Sequence, residues 1–232
     1  MKLLVSGCSF THHRWPQFLS NHSITDLAWP GAGNKYISDS IIHHCSIKKF
    51  DAVLVMWSGL TRLDMPVPNS LKLFNNYDFI QPVGNFNYIM SGGVLGSWQH
   101  HPGPNQLFKN TYKIMSTEEL AWLSLLEIIK LQGFLKNLGI KYYFMSYVNY
   151  WNRPVGWISK NCDPTLKDFL NLNNIINQID FSSWIFLNDN KDGIYEFAEK
   201  SNLFESDNWH PNSTADQTWA SIVEERLNCF QH

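Results

Sequence analysis

The chain has 232 residues, 44% of them hydrophobic and 16% charged, which is enough apolar material for one good-sized core and too much for a disordered chain. The formal net charge is -2, so no basic surface is implied and nucleic acid is not an expected partner. No apolar run reaches the ~18 residues of a membrane span, and the four cysteines, Cys8, Cys45, Cys162 and Cys229, lack the spacing of a metal site or a disulfide framework.

In chain order, Lys2–Ser6 reads as a short buried strand running into Gly7-Cys8-Ser9. Val5-Ser6-Gly7-Cys8 has the outline of a lipoprotein cleavage box. Only a few residues precede Cys8, however, where a signal peptide needs an apolar segment of ~7–15. A cytoplasmic location with reduced thiols is the expectation. Arg14–Asn21 fits a short helix with Pro16 in its first turn, and Ser23–Ala28 a second strand. Trp29-Pro30-Gly31-Ala32-Gly33-Asn34 is a loop by its Pro and Gly content. Lys35–Lys48 has helical spacing in Ile37, Ile41, Ile42 and Cys45, and Asp51–Trp57 is the clearest buried strand.

Residues 65–115 differ from the rest. Ten Pro and Gly residues, from Pro66 to Pro104, are interleaved with aromatics. Such long irregular stretches are uncommon unless functional, so this one is expected to be an insertion that serves as a lid or a substrate-binding region. Thr117–Leu138 is a strong amphipathic helix with Thr117 as N-cap and Gly139 as stop. Ile140–Val148 follows as a strand, Pro164–Ile179 as a helix, Trp184–Leu187 as a last strand, then helices over Ile194–Ser201 and Asn212–Cys229. Apolar strands alternating with helices predict an α/β fold, a parallel sheet covered on both faces, within a single domain over 1–232. In such folds ligands sit beyond the carboxyl ends of the strands.

Four strand or loop ends carry chemistry-bearing residues: Gly7-Cys8-Ser9-Phe10, Pro30-Gly31-Ala32-Gly33-Asn34, Trp57-Ser58-Gly59-Leu60-Thr61-Arg62, and Asp207-Asn208-Trp209-His210-Pro211. In this order they resemble the blocks of the SGNH (GDSL-type) hydrolase family across nearly the whole chain. The resemblance implies a three-layer α/β/α sandwich with a flavodoxin-like sheet. It places the nucleophile at Ser9 and the Asp and His of the triad at Asp207 and His210. It puts an oxyanion hole at the backbone N–H groups of Ser9 and Gly31, with Gly33 next after Gly31. A Ser hydroxyl needs a base to take its proton, which His210 would do, and Asp207 would fix the imidazole tautomer.

Two departures accompany the match. Cys8 stands where the family has Asp, and Thr61 stands where the third block has an oxyanion-binding Asn. Thr61, Ser58 and Arg62 are the candidate replacement donors, and weak or lost activity is the expectation that goes with the change. Trp57, Arg62 and Trp209 are candidate substrate-binding residues. Ser9 as a mere helix-capping residue, Asp207 as a plain N-cap, and Cys8 as nucleophile remain open at this stage.

The expected activity is a serine esterase acting on small acyl esters, O-acetyl groups of a carbohydrate being one class, with no cofactor and no metal. The alternatives are an O-acyltransferase or a non-catalytic SGNH-like module that binds carbohydrate or protein. The expected partner is a small-molecule or glycan ester, with no nucleic acid and no membrane. The Asn, Lys and Ile content fits an AT-rich genome, that of a bacterium or phage. The pairs His12-His13, His43-His44 and His100-His101 are expected to be poor chelates, since neighbours on a strand or helix do not face one another.

Overall fold

The computed structural model describes residues 1–68, 80–91, 102–152, 166, 169–207 and 209–229. Four parallel strands form the central sheet in the order β2-β1-β3-β7, with β1 at Lys2–Ser6, β2 at Ser23–Asp26, β3 at Ala52–Trp57 and β7 at Lys141–Ser146. Leu3, Leu4 and Val5 in β1 are fully buried, and so is every residue of β3, as continuous apolar runs require when helices cover both faces of a sheet. Register is set by Leu3 opposite Ala52 and Val53 opposite Tyr142. Helices α1 (Asn34–Ile47) and α3 (Thr117–Asn137) pack against each other. Helices α5 (Ile194–Ser201) and α6 (Ser213–Asn228) form another pair. Trp219 anchors α6 to the sheet, its indole N–H reaching Met145 Sδ at 3.5 Å. Among the described residues, no helix is long and apolar enough to cross a membrane.

Chain order reverses on either side of β1, so the β1 and β3 ends flank the topological switch point, where such sheets bind ligands. Gly7 lies at that point. A Cβ there would collide with the buried Thr11 side chain, 2.8 Å from its Cβ, and would lie 3.1 Å from Met56 O. Gly7→Ala should therefore lower stability by about 1–3 kcal/mol in chemical denaturation, the usual cost of overpacking.

The insertion is more regular than its composition suggests. Strands β4 (Asp64–Pro68), β5 (Ile80–Val83) and β6 (Phe86–Met90) form a small antiparallel sheet in the order β4-β6-β5. Pro66, Pro68 and Pro82 lie in its two edge strands, where a missing ladder donor is tolerated. Tyr88 fastens the sheet to α1, its hydroxyl donating to Asp39 at 2.5 Å and its ring meeting Tyr36 edge-on. Helix α2 (Pro102–Ile114) completes the insertion.

Other boundaries move for local reasons. The helix expected over Arg14–Asn21 is only a 3-10 turn, Trp15–Phe18. The N-cap of α3 is Ser116, one residue before Thr117, in a capping box with Glu119. The expected strand at Trp184–Leu187 is a single parallel bridge from Trp184 to Phe144. Of the helix expected over Pro164–Ile179, a 3-10 turn at Leu170–Leu172 and the short α4 (Asn173–Ile176) are seen, while most of its start and Cys162 fall outside the described residues.

Candidate active site

The two ends of the chain meet at the switch point. Ser9 Oγ lies 3.0 Å from His210 Nε2, and His210 Nδ1 lies 2.5 Å from Asp207 Oδ2. Asp207 Oδ1 also accepts the backbone N–H groups of Trp209 (2.8 Å) and His210 (3.0 Å). Partial desolvation pushes the Asp207 carboxyl up. The backbone N–H and the imidazole of His210, with the N–H of Trp209, outweigh it and hold the group at about 2. An ionised Asp207 can only accept, so Nδ1 carries the proton and Nε2 presents its lone pair to the Ser9 hydroxyl. Phe10 backs the imidazole with ring centroids 5.2 Å apart.

Arg14 joins the turn that carries Ser9 to the segment that carries His210. Its Nε donates to Ser9 O (2.8 Å) and its Nη1 to Pro211 O (2.8 Å). The same guanidinium grips both Glu205 oxygens (3.0 and 3.1 Å) and lies 3.5 Å from Asp216 Oδ2. Burial pushes the Asp216 carboxyl up to about 7, against the opposing pull of Arg14. Arg14→Ala should lower kcat about 10–10²-fold with KM little changed, because loss of the clamp loosens the Ser9–His210 geometry. Arg14→Lys should rescue only in part, since one ammonium cannot hold two carbonyls as the planar fork does. Steady-state kinetics on both variants checks this.

The loop after β2 is tied to the end of β1, Trp29 N–H donating to Gly7 O at 3.1 Å. Trp29, Pro30, Gly31 and Ala32 form a turn closed by Ala32 N–H to Trp29 O (3.1 Å), with Gly31 at φ 81°, the left-handed conformation a type II turn needs at this place. Asp64 is buried beneath it. Its Oδ1 accepts the Gly33 N–H and its Oδ2 the Tyr36 N–H, each at 2.9 Å. Asn34 clasps the third block, accepting the Ser58 N–H (2.8 Å) and donating to Ser58 O (3.2 Å). Arg62 Nη1 donates to Ala32 O at 3.1 Å. Tyr112 of α2 donates to Thr61 O at 3.0 Å, and Leu63 N–H donates to Ser91 Oγ at 2.9 Å, so the insertion braces this block. Burial pushes the Asp64 carboxyl up to about 7, partly offset by the Tyr36 and Gly33 N–H groups and by the Arg62 charge.

The structure brings Ser9, Asp207 and His210 into one hydrogen-bonded chain, and half-exposed Trp209 adjoins it. Cys8 is fully buried and Ser9, not Cys8, meets the imidazole. Gly33 is removed as an oxyanion donor because Asp64 takes its N–H. Among the described residues, the N–H groups of Ser9 and Gly31 donate to no protein acceptor. Thr61 and Arg62 are partly exposed in the third-block loop. Ser58 is fully buried, its hydroxyl shut off from solvent, so it does not line an open cleft.

Trp57, a candidate substrate-binding residue, exposes no surface to solvent. It ends a central strand covered on both faces, is fully buried, and packs edge-on against Phe144. Arg14, Asn34 and Asp64 were not singled out from the sequence as functional residues. Asn34 had a signal, a polar side chain closing a Gly-x-Gly loop at a helix start. Arg14 and Asp64 had none, since their partners lie up to 202 and 31 residues away.

No family model and no curated protein matches the chain. Solved structures do. The psychrotrophic esterase EstA from Pseudoalteromonas sp., in a structure inhibited by monoethylphosphonate, aligns at TM-score 0.51 and 10% identity over 99% of this chain and 98% of that one. TesA aligns at 0.52 and 11% identity over 99% of each chain. A Bacteroides fragilis protein assigned as an acylhydrolase aligns at 0.50 and 11% identity over 100% of this chain and 88% of that one. The chain therefore shares its α/β fold with these esterase and acylhydrolase structures.

Proposed function

We propose that this chain, built on the SGNH hydrolase fold, is a serine esterase that cleaves small acyl esters through an acyl-enzyme on Ser9. The observation that carries the reading is the Ser9–His210–Asp207 hydrogen-bond chain, with a proton acceptor 3.0 Å from the hydroxyl and an ionised carboxylate behind it. His210 takes the Ser9 proton as Oγ attacks the ester carbonyl, and returns it to the leaving alkoxide. It then activates the water that frees the acid. Asp207 stabilises the imidazolium formed in both halves.

The unengaged Ser9 and Gly31 N–H groups are the donors for the oxyanion. Arg62 supplies positive charge beside them, in the block where the family's Asn is missing. Half-exposed Trp209 next to His210 suits a sugar face, so O-acetyl groups of a carbohydrate are the substrate class we favour. The esterase activity and phosphonate inhibition named for the EstA structure point the same way.

The test is intact-mass measurement after exposure to a fluorophosphonate, with mapping of the modified residue. One adduct on Ser9 supports the reading. An adduct on Cys8 moves the nucleophile by one residue. A folded protein that takes up no label is not this enzyme, and leaves the binding module as its function.

A further inference from the structure

The sequence rule that disqualifies adjacent histidines as chelators assumes a strand or a helix. His12 and His13 lie in neither. They follow a turn in which Cys8 O accepts the N–H groups of Thr11 and His12, and His13 takes φ 53°. That left-handed conformation, uncommon outside glycine, redirects the chain between the two side chains. Their rings then lie side by side with centroids 3.9 Å apart. Asp26, at the end of β2, completes the group. One ligand atom from each of the three residues lies within 4.8 Å of the other two.

Both His12 and Asp26 are held by a single residue, Ala28. His12 Nδ1 donates to Ala28 O at 2.8 Å, and Asp26 Oδ1 accepts the Ala28 N–H at 2.8 Å. An imidazole whose Nδ1–H is held by a carbonyl presents Nε2 as a lone pair in a fixed direction, the usual outer-shell support of a metal-bound histidine. The carboxylate is fixed by the same peptide segment, so two of the three ligands need little reordering to meet an ion. Two imidazoles and a carboxylate are a ligand set that zinc takes, with bonds of about 2.0–2.2 Å and water in the fourth place. Tetrahedral ligand atoms on such an ion stand about 3.4 Å apart, so an ion would draw the three in from the 4.8 Å within which they lie.

We propose that His12, His13 and Asp26 form a binding site for a divalent transition-metal ion of the zinc type, separate from the Ser9 triad. Imidazole and carboxylate donors select zinc, nickel and copper over magnesium and calcium.

The test is calorimetric titration of the chelator-treated full chain with zinc chloride. The expected result is one equivalent bound at a Kd on the order of 10⁻⁶ M. His13→Asn, chosen because Asn tolerates a positive φ, and Asp26→Asn should each weaken binding at least tenfold without changing the far-ultraviolet circular dichroism. His43→Ala, on the helical pair, should bind as wild type does. If either variant unfolds, zinc-dependent shift of the wild-type unfolding midpoint against magnesium serves instead, with a rise for zinc only expected. Binding weaker than about 1 mM overturns the site. Binding that survives both His13→Asn and Asp26→Asn but is lost in His210→Ala also overturns it, since the zinc is then on Glu205, Asp207 and His210, the other close group of such side chains among the described residues.

Discussion

Ser9→Ala should lower ester turnover by about 10⁴–10⁶-fold and leave the unfolding midpoint close to that of the parent. In the proposed mechanism the hydroxyl is the attacking group, yet its loss removes little packing, since Ser9 is only partly buried. His210→Ala should cost about as much, because an unassisted hydroxyl is a weak nucleophile. The double variant should be hardly worse than either single one, as expected of groups that act as a unit. Asp207→Asn should retain more, losing about 10⁴-fold in kcat, because the amide can turn its N–H₂ toward Nδ1 and favour the wrong tautomer.

Asp207 is held at about 2, below its ordinary 3.8. Its contribution to stability is therefore present above about pH 4 and lost as pH falls toward 2. Kinetics on a chromogenic acetyl ester checks all four variants. Ser9→Ala retaining a tenth of wild-type turnover would falsify the serine mechanism.

The second large effect is on Asp64. Asp64→Ala leaves the Gly33 and Tyr36 N–H groups buried without their acceptor and frees the loop that carries Gly31. At about 1–3 kcal/mol for each of the two stranded donors, the loss should be about 2–6 kcal/mol. Activity should fall as well, because the Gly31 turn is no longer anchored at its following residues.

The pH dependence has a definite sign. The folded carboxyl titrates near 7 and the unfolded one near 3.8, so the folded state binds more protons in between. The stability due to Asp64 is thus fully present below about pH 4 and lost as pH rises through 7. The deficit of Asp64→Ala should accordingly be largest near pH 4.5 and smaller at pH 8, as read from urea unfolding at the two values. A deficit that grows with pH would show that the two N–H bonds and Arg62 outweigh burial.

Much of the fold was legible because the strands are short, apolar and bounded. Lys2–Ser6 matches the observed β1 end for end, and α1 and α3 lie within a residue of their expected spans. The insertion was not legible. Its prolines suppress a strand reading, yet edge strands accept them, and only the tertiary structure shows that this sheet has two edges. The burial of Trp57 was not legible because aromaticity beside a motif looks the same whether the ring faces a cleft or the core. Two-sided cover of β3 decides it.

The sequence by itself determined the alternation of strands and helices and the residue types at the ends of the chain that can perform acyl transfer. These follow from local periodicity and from short motifs, which need no knowledge of distant contacts. Only the tertiary structure decided that Ser9 and His210, 201 residues apart, stand 3.0 Å from each other. It alone decided that Arg14 clamps their carriers together, that Asp64 rather than the oxyanion claims the Gly33 N–H, and that two adjacent histidines share a face with Asp26. The physical reason is the same in each case. Hydrogen-bond geometry and burial depend on the closure of long chain loops, and one backbone torsion, as at His13, can reverse what residue spacing alone would say.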